Sequence, residues 1–295
     1  QVIDNFISSP VLETLPFDNT IFLNGASMGY VYNTITTQAS AGTRAINAEY
    51  TPQEAVTEQV TTTLKVLGGS YQIDRVVARN MSNAISQVDF QTNEKAKGAV
   101  AEFHNLFING DSSKDATQFD GLDKIARDKN QHVVDALGLD LSTGAKIKAN
   151  AHDLLFALRQ VYKGTEGFTH MGMNSDMFAV FQSIADYLPN VSYSRDELGR
   201  GVYHYGETRI VGLGQKPGTY DEIIATDPTD GTTSIYLWRE GMDGVHGVSP
   251  EGSNLVEVHL PNFVDAKAVH TGDVEFVGAI FAKKNNAVGI LENIK

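Results

Sequence analysis

Residues 30–68 constrain the fold more than any other stretch of this chain. They carry nine threonines and few charges, with Gly42 near the middle. Val60, Thr62, Leu64 and Val66 fall on alternate positions, the period of a strand that faces two environments. The simplest reading is a long two-stranded excursion from the rest of the protein. A two-stranded hairpin alone is marginal in water, so one of this length needs something to lie upon. A neighbouring subunit would serve.

Downstream the period changes. From Ser82 to Phe107, residues Ile85, Val88, Ala96, Ala99, Val100, Phe103, Leu106 and Phe107 share one helical face. Glu94, Lys95, Lys97 and Glu102 fall elsewhere. Asn109 and Gly110 supply a stop. Asn150 is expected to cap a helix over "AHDLLFALRQVY", with Leu154, Leu155, Leu158, Val161 and Tyr162 as its stripe. After strand-like "HMGM", Asn174 or Ser175 is expected to cap "DMFAVFQSIADY", with Met177, Val180, Phe181 and Ile184 inward. "TRIVGLG", "EIIAT" and "SIYLWRE" read as continuing strands of an α/β layer. "LVEVHL", "VEFVGAIFA" and "AVGILENI" read as an antiparallel sheet. Residues 1–27 read as an extended arm, broken by Pro10 and Pro16, with "TIFLN" as a short strand. The fold class is α+β.

The 295 residues suffice for one extended or two compact domains, and no internal repeat or low-complexity linker divides them. The absence of cysteine removes disulfides, thiolate metal sites and a thiol nucleophile. A formal charge of -13 argues against gripping nucleic acid by broad phosphate neutralisation. The first residues show no basic leader ahead of an apolar core, so no secretory signal is expected within them. No apolar run approaches the roughly 20 residues of a membrane helix. The start at Gln1 fits either a trimmed chain or a product cut from a longer precursor.

Several stretches imitate chemical sites. "LFINGDSSKDATQFDGL", residues 106–122, has the acids and glycines of a calcium loop. Counting from Asp111, however, the sixth position is Ala116 and the twelfth Leu122, where a calcium loop needs Gly and Glu. No Gly-Lys-Ser/Thr follows for a phosphate cradle, so a solvated corner is expected. "GASMG" at 25–29 matches the nucleophile-elbow pattern and makes Ser27 an acyl-transfer candidate. The "YVYNTIT" behind it is β-like, so the required strand-to-helix turn is missing. The histidines at 104, 132, 152, 170, 204, 246, 259 and 270 form no i,i+4 pair. "GLGQKPG" departs from a dinucleotide fingerprint at Pro217, Trp238 reads as a packed strand aromatic, and "DPTDGTT" reads as a turn. No catalytic, cofactor-binding or metal-ligating residues are expected.

"FHNLFINGDSSKDATQFDGLDKIA" resembles the segment of tailed-bacteriophage major capsid proteins of the Hong Kong 97 type where the spine helix runs into an "NGD" loop and a "GL" turn. "FTHMGMNSDMFAVFQSI" is similar to that family's axial strand, Asn and helix. "IYLWREGMDGVHGVSPEG" and "VEFVGAIFAKKNNAVGILENI" resemble its closing strands, and the motifs fall in the family's order across nearly the whole chain.

The resemblance implies an N-terminal arm at 1–28 and an E-loop at 29–70. It implies a peripheral domain with the spine helix at 71–145, an axial domain at 146–238, and returning peripheral strands at 239–295. It further implies a mature capsid subunit forming pentamers and hexamers of an icosahedral head around double-stranded DNA. The expected partners are a scaffolding segment and prohead protease during maturation, a portal and decoration proteins, with assembly in the bacterial host cytoplasm and no membrane. An encapsulin-type compartment is the alternative within the fold, and an α/β hydrolase using Ser27 the remote one outside it. Some members join subunits by an isopeptide bond from an E-loop Lys. Here Lys65 is the only lysine of the excursion and sits toward its base, so cross-linking is not expected.

Overall fold

The computed structural model describes residues 11–12, 14–21, 29–37, 39–78, 81–128, 132–195, 199, 201–216, 219, 221–250, 256–264 and 266–295. Gln1, Ser27 and Pro217 lie outside the described residues.

Two sheets and a separate hairpin organise the chain. The first sheet takes β1 (Phe17–Ile21), β11 (Val245–Pro250), β13 (Val269–Ala282) and β12 (Val256–His259), with β4 (Lys65–Asp74) also on β13. The second runs in the order β5 (Val133–Leu139), β14 (Val288–Ile294), β10 (Thr233–Trp238), β6 (His170–Met173), β9 (Thr208–Gly212), β8 (Gly201–Tyr205), β7 (Val191–Arg195). Among the described residues the hairpin pairs β2 (Gly29–Thr37) with β3 (Val56–Thr63) alone. A single-turn α1 (Arg75–Ala78) leads into the long helix α2 (Met81–Asn109).

Helix α2 lies along the first sheet because its apolar stripe matches the inward positions of β4 and β13. Ala96, Val100, Phe103, Leu106 and Phe107 are buried, as are Leu67, Tyr71 and Ile73 of β4 and Val274 and Phe276 of β13. The Phe103 ring meets Phe276 edge-on at 5.3 Å, and Phe107 meets Trp238 edge-on at 5.3 Å. Trp238 belongs to β10, so one helix holds the first sheet with one ring and the second sheet with another. The side chain of Ile85 is not described.

The second core lies under α4 (Gly144–Tyr162) and α5 (Ser175–Ala185), whose buried Leu154, Leu158, Val161, Met177, Phe181 and Ile184 cover Met171, Ile235 and Leu237 of the sheet. Asn174 caps α5 as expected, its side chain accepting from the Met177 amide at 2.9 Å. Asn150 does not cap α4. The cap is Thr143, whose hydroxyl accepts from the Lys146 amide, and Asn150 sits inside the helix with Nδ2 donating to the Asp140 carbonyl at 2.8 Å. Nothing in "GAKIKAN" breaks a helix, and Ile147 and Ala151 extend the buried stripe upstream.

Four strand expectations change as well. "EIIAT" is not a strand: the Ile223 amide donates to the Gly214 carbonyl, and its own carbonyl accepts from the Asn109 side chain at 2.7 Å. Its backbone is therefore used by a loop and a helix end. "AVGILENI" becomes β14, which leaves the first sheet for the second, antiparallel to β10 and parallel to β5. The alternation through Val66 breaks at Leu64. Leu64 is buried between β3 and β4, after which Leu67, Tyr71 and Ile73 face inward and Val66 outward. Strand β1 begins at Phe17, earlier than "TIFLN" suggested.

Candidate assembly surface

The corner at 106–122 accounts for its own acids. Asp111 Oδ1 accepts from the Ser113 amide and hydroxyl, Asp115 Oδ1 from those of Thr117, and Asp120 Oδ1 from the Ser112 amide. Lys124 of α3 (Leu122–Asp128) lies 3.2 Å from Asp111 and 3.1 Å from Asp120. The Ser113 bonds, with Lys114 and Lys124, hold the Asp111 carboxyl well below the usual range, and the Thr117 bonds lower Asp115. Burial lifts Asp120, but its bonds from Ser112 and Lys124 outweigh that, and its net shift is downward. These oxygens already serve the turn as acceptors. Among the described residues no group of three His, Cys, Asp or Glu side chains converges as a metal site.

Gly110 and Gly121 make the corner possible by touching backbone to backbone, with the Gly121 amide donating to the Gly110 carbonyl at 2.8 Å. A Cβ on Gly121 would stand 2.6 Å from the carbonyl oxygens of both Ile108 and Leu106. Neither oxygen can yield without unwinding the end of α2. Gly121→Ala should therefore cost about 2 kcal/mol, read as a lower denaturant midpoint. An unchanged midpoint would show that the corner is not held this tightly.

The corner also anchors the hairpin. Lys65, the first residue of β4, donates from Nζ to the Ala116 carbonyl at 2.5 Å. Above it, Tyr30 and Tyr32 of β2 sit in an aromatic socket: Tyr30 lies 5.0 Å from Phe281 and 6.2 Å from His246, and Tyr32 meets Phe281 edge-on. The Tyr30 hydroxyl donates to Asp18 at 3.2 Å, and Lys283 stands over the Tyr30 ring. Burial raises the Tyr32 hydroxyl and lowers His246.

Past this socket the hairpin leaves the body. Every described residue from 39 to 59 is exposed, and Val31, Ile35, Ile46, Tyr50 and Val56 present apolar surface. A second exposed apolar group gathers at the far end of the first sheet, from Val76 and Val77 of α1 to Leu260, Phe263, Val264 and Val269. Apolar surface of this kind marks contact with a partner.

The two sheets join where β10 passes to β11 and β13 passes to β14. On the surface there, Arg239 pairs with Glu166 and, at 2.6 Å, with Asp243; Lys284 lies 2.9 Å from Glu166 and 3.2 Å from Asp243. Beneath it, buried Trp238 stacks on His170 and donates from Nε1 to Glu240 at 3.0 Å. Thr14 of the N-terminal segment reaches His170 at 3.4 Å. Burial, helped by the charges of Arg209 and His204, pushes the His170 imidazole down to about 4, and burial raises Glu240. Trp238 is thus the packed strand aromatic expected. His104, His246 and His270 are buried too.

No family model matches this sequence, and no curated protein matches it. Solved structures do. The SrpI encapsulin complex of Synechococcus elongatus PCC 7942 superposes with a TM-score of 0.66 at 14% identity, over 97% of this chain and 87% of that one. The capsid of the native GTA particle gives 0.63 at 12%, over 97% and 90%. The capsid of Myoviridae phage XM1 gives 0.57 at 12%, over 94% and 89%. The chain therefore has the fold shared by phage capsids and encapsulins, the Hong Kong 97 fold that the sequence motifs resemble.

Proposed function

We propose that this chain is the major capsid subunit of a tailed phage, assembling as pentamers and hexamers into an icosahedral head around double-stranded DNA. The observation that carries the reading is the hairpin: among the described residues β2 and β3 pair only with each other, and they project apolar residues into solvent. Such a projection is stable when it lies across another subunit. In this reading residues 1–28 are the arm, 29–70 the E-loop, 71–145 and 239–295 the peripheral domain, and 146–238 the axial domain. A scaffolding segment, prohead protease, portal and decoration proteins are its partners, and the virion is its location. The net charge of -13 suits a wall that repels packaged DNA and leaves it free to exit.

The likeness to an encapsulin supports a second reading, a cargo compartment of the same architecture. Electron microscopy of the expressed protein tests the shared claim: closed shells of uniform size are expected, and a species of subunit mass on size exclusion would refute it. DNA within native particles selects the phage reading, and packaged protein cargo selects the other.

Lys65 is committed to the Ala116 carbonyl at the foot of the hairpin, away from the exposed tip. Shells boiled in detergent are accordingly expected to release monomer on a gel. A ladder of covalent oligomers would overturn that expectation.

A further inference from the structure

A cleft of about 520 Å³ opens where the end of α4 meets the turn between β8 and β9. Part of its lining is aromatic and fixed. Phe168 stands edge-on to Tyr162 at 5.0 Å, and Tyr205 lies 6.0 Å from the same ring. The Thr208 hydroxyl donates to the Phe168 carbonyl at 2.8 Å, so its one proton is used and the Tyr162 hydroxyl donates to it at 2.6 Å. Burial pushes the Tyr162 phenol up to about 12, which keeps that donor in place. The Gly206 amide donates to the Asn190 carbonyl at 3.3 Å, tying the β8–β9 turn to the residue before β7.

The polar lining is not engaged in the same way. Arg159 and Glu207 are exposed, and neither forms an ion pair with any described residue, including each other. The side chains of Asn190 and Ser192 bond no described residue either. A preformed apolar wall with a few convergent polar groups is the usual make-up of a small-molecule site, and volumes of about 300–1,000 Å³ are typical. The charges decide which molecule fits. An anion alone would meet Glu207 and a cation alone Arg159, so the matching ligand carries both signs.

We propose that the cleft binds a short free peptide carrying an aromatic residue, of dipeptide or tripeptide length. Arg159 takes its carboxylate, Glu207 its ammonium group, and the wall of Tyr162, Phe168 and Tyr205 its ring. Asn190 and Ser192 supply hydrogen bonds to the peptide group between. The volume exceeds that of a single amino acid, and the wall is held rigid before binding, so little ordering opposes it. The site belongs to the folded subunit and is independent of the shell reading.

Equilibrium dialysis of labelled glycyl-phenylalanine against the purified protein, with the N-acetylated and C-amidated dipeptides as competitors, tests this. Saturable binding at low salt is expected, weakened about tenfold by either cap, the usual worth of a charged hydrogen bond. In Arg159→Gln the amide should compete as well as the free dipeptide, and in Glu207→Gln the acetylated form should. Both positions are exposed, so neither change threatens the fold. Absence of saturable binding, indifference to both caps, or variants that discriminate as the native chain does would overturn the site. Assembly is read separately: a monomeric protein that binds the dipeptide would refute the shell and keep the cleft.

Discussion

Excising residues 38–55 and joining Thr37 to Val56 through an Asn-Gly turn is expected to leave a folded subunit that forms no closed particles. Thr37 and Val56 are already partnered across the hairpin, so a two-residue turn suits the existing pairing. The excised residues that are described touch neither core and are exposed throughout. Thermal stability of the subunit should thus change little, by about 0.5 kcal/mol or less. Assembly should be lost entirely, because a shell multiplies one modest contact over every copy and removing it from each leaves nothing to close the ring. Sedimentation with circular dichroism separates the two effects. Closed shells of normal size from the shortened chain would show that the hairpin is not the tie between subunits.

What the sequence disclosed, and what it hid, follows from the range of the interactions involved. Helix α2 was legible because its stripe, from Ala96 to Phe107, repeats over many turns, and its stop at Asn109 and Gly110 is local chemistry. The Asn174 cap was legible for the same reason. The start of α4 was missed because Asn150 and Thr143 are both cap-forming residues, and the choice between them rests on Ile147 and Ala151 meeting a core that only the folded chain supplies. "EIIAT" has the composition of a strand, yet its hydrogen-bonding groups go to Gly214 and Asn109, the latter 114 positions away from Ile223. The sheet to which β14 belongs was equally hidden: "AVGILENI" has the same alternation whichever partner it pairs with.

The assembly surface was half legible. The Thr-rich hairpin announced a projection that needs covering, but the socket at its base is assembled from Tyr30, Tyr32, His246 and Phe281, which share no local pattern. His246 and Phe281 meet because β11 and β13 pair antiparallel in that register. The acidic corner, by contrast, looked most like a site, and its carboxylates bond to its own turn. Its aspartates turn inward to the amides of Ser112, Ser113 and Thr117, and its glycines let α2 hand the chain to α3 at close range.

The subunit is expected to lose a large part of its stability between about pH 6.5 and 4. His104 and His170 are buried, and burial lowers both from an ordinary 6.5 to about 4. In the unfolded chain each takes up a proton near 6.5, whereas in the folded protein each resists until about 4. As pH falls through that window the unfolded state binds more protons, so stability is lost, and the loss levels off below the folded value. At about 1.36 kcal/mol per unit, each histidine can remove about 3 kcal/mol, a large part of an ordinary domain's about 5–15 kcal/mol. His246, also lowered by burial, acts in the same direction. Glu240 acts against it: its carboxyl is raised by burial, so its protonation favours the fold and returns part of the loss around His170. Asp111, Asp120 and Asp140 have lowered values, so their contribution is intact above the ordinary 3.8 and fails only at stronger acid. Denaturant unfolding of the hairpin-shortened subunit from pH 7.5 to 4 isolates this from disassembly. His104→Gln removes one of the two large titrations and should make the decline about half as steep. A midpoint that stays level down to pH 5 would mean that these imidazoles are not held neutral by the fold.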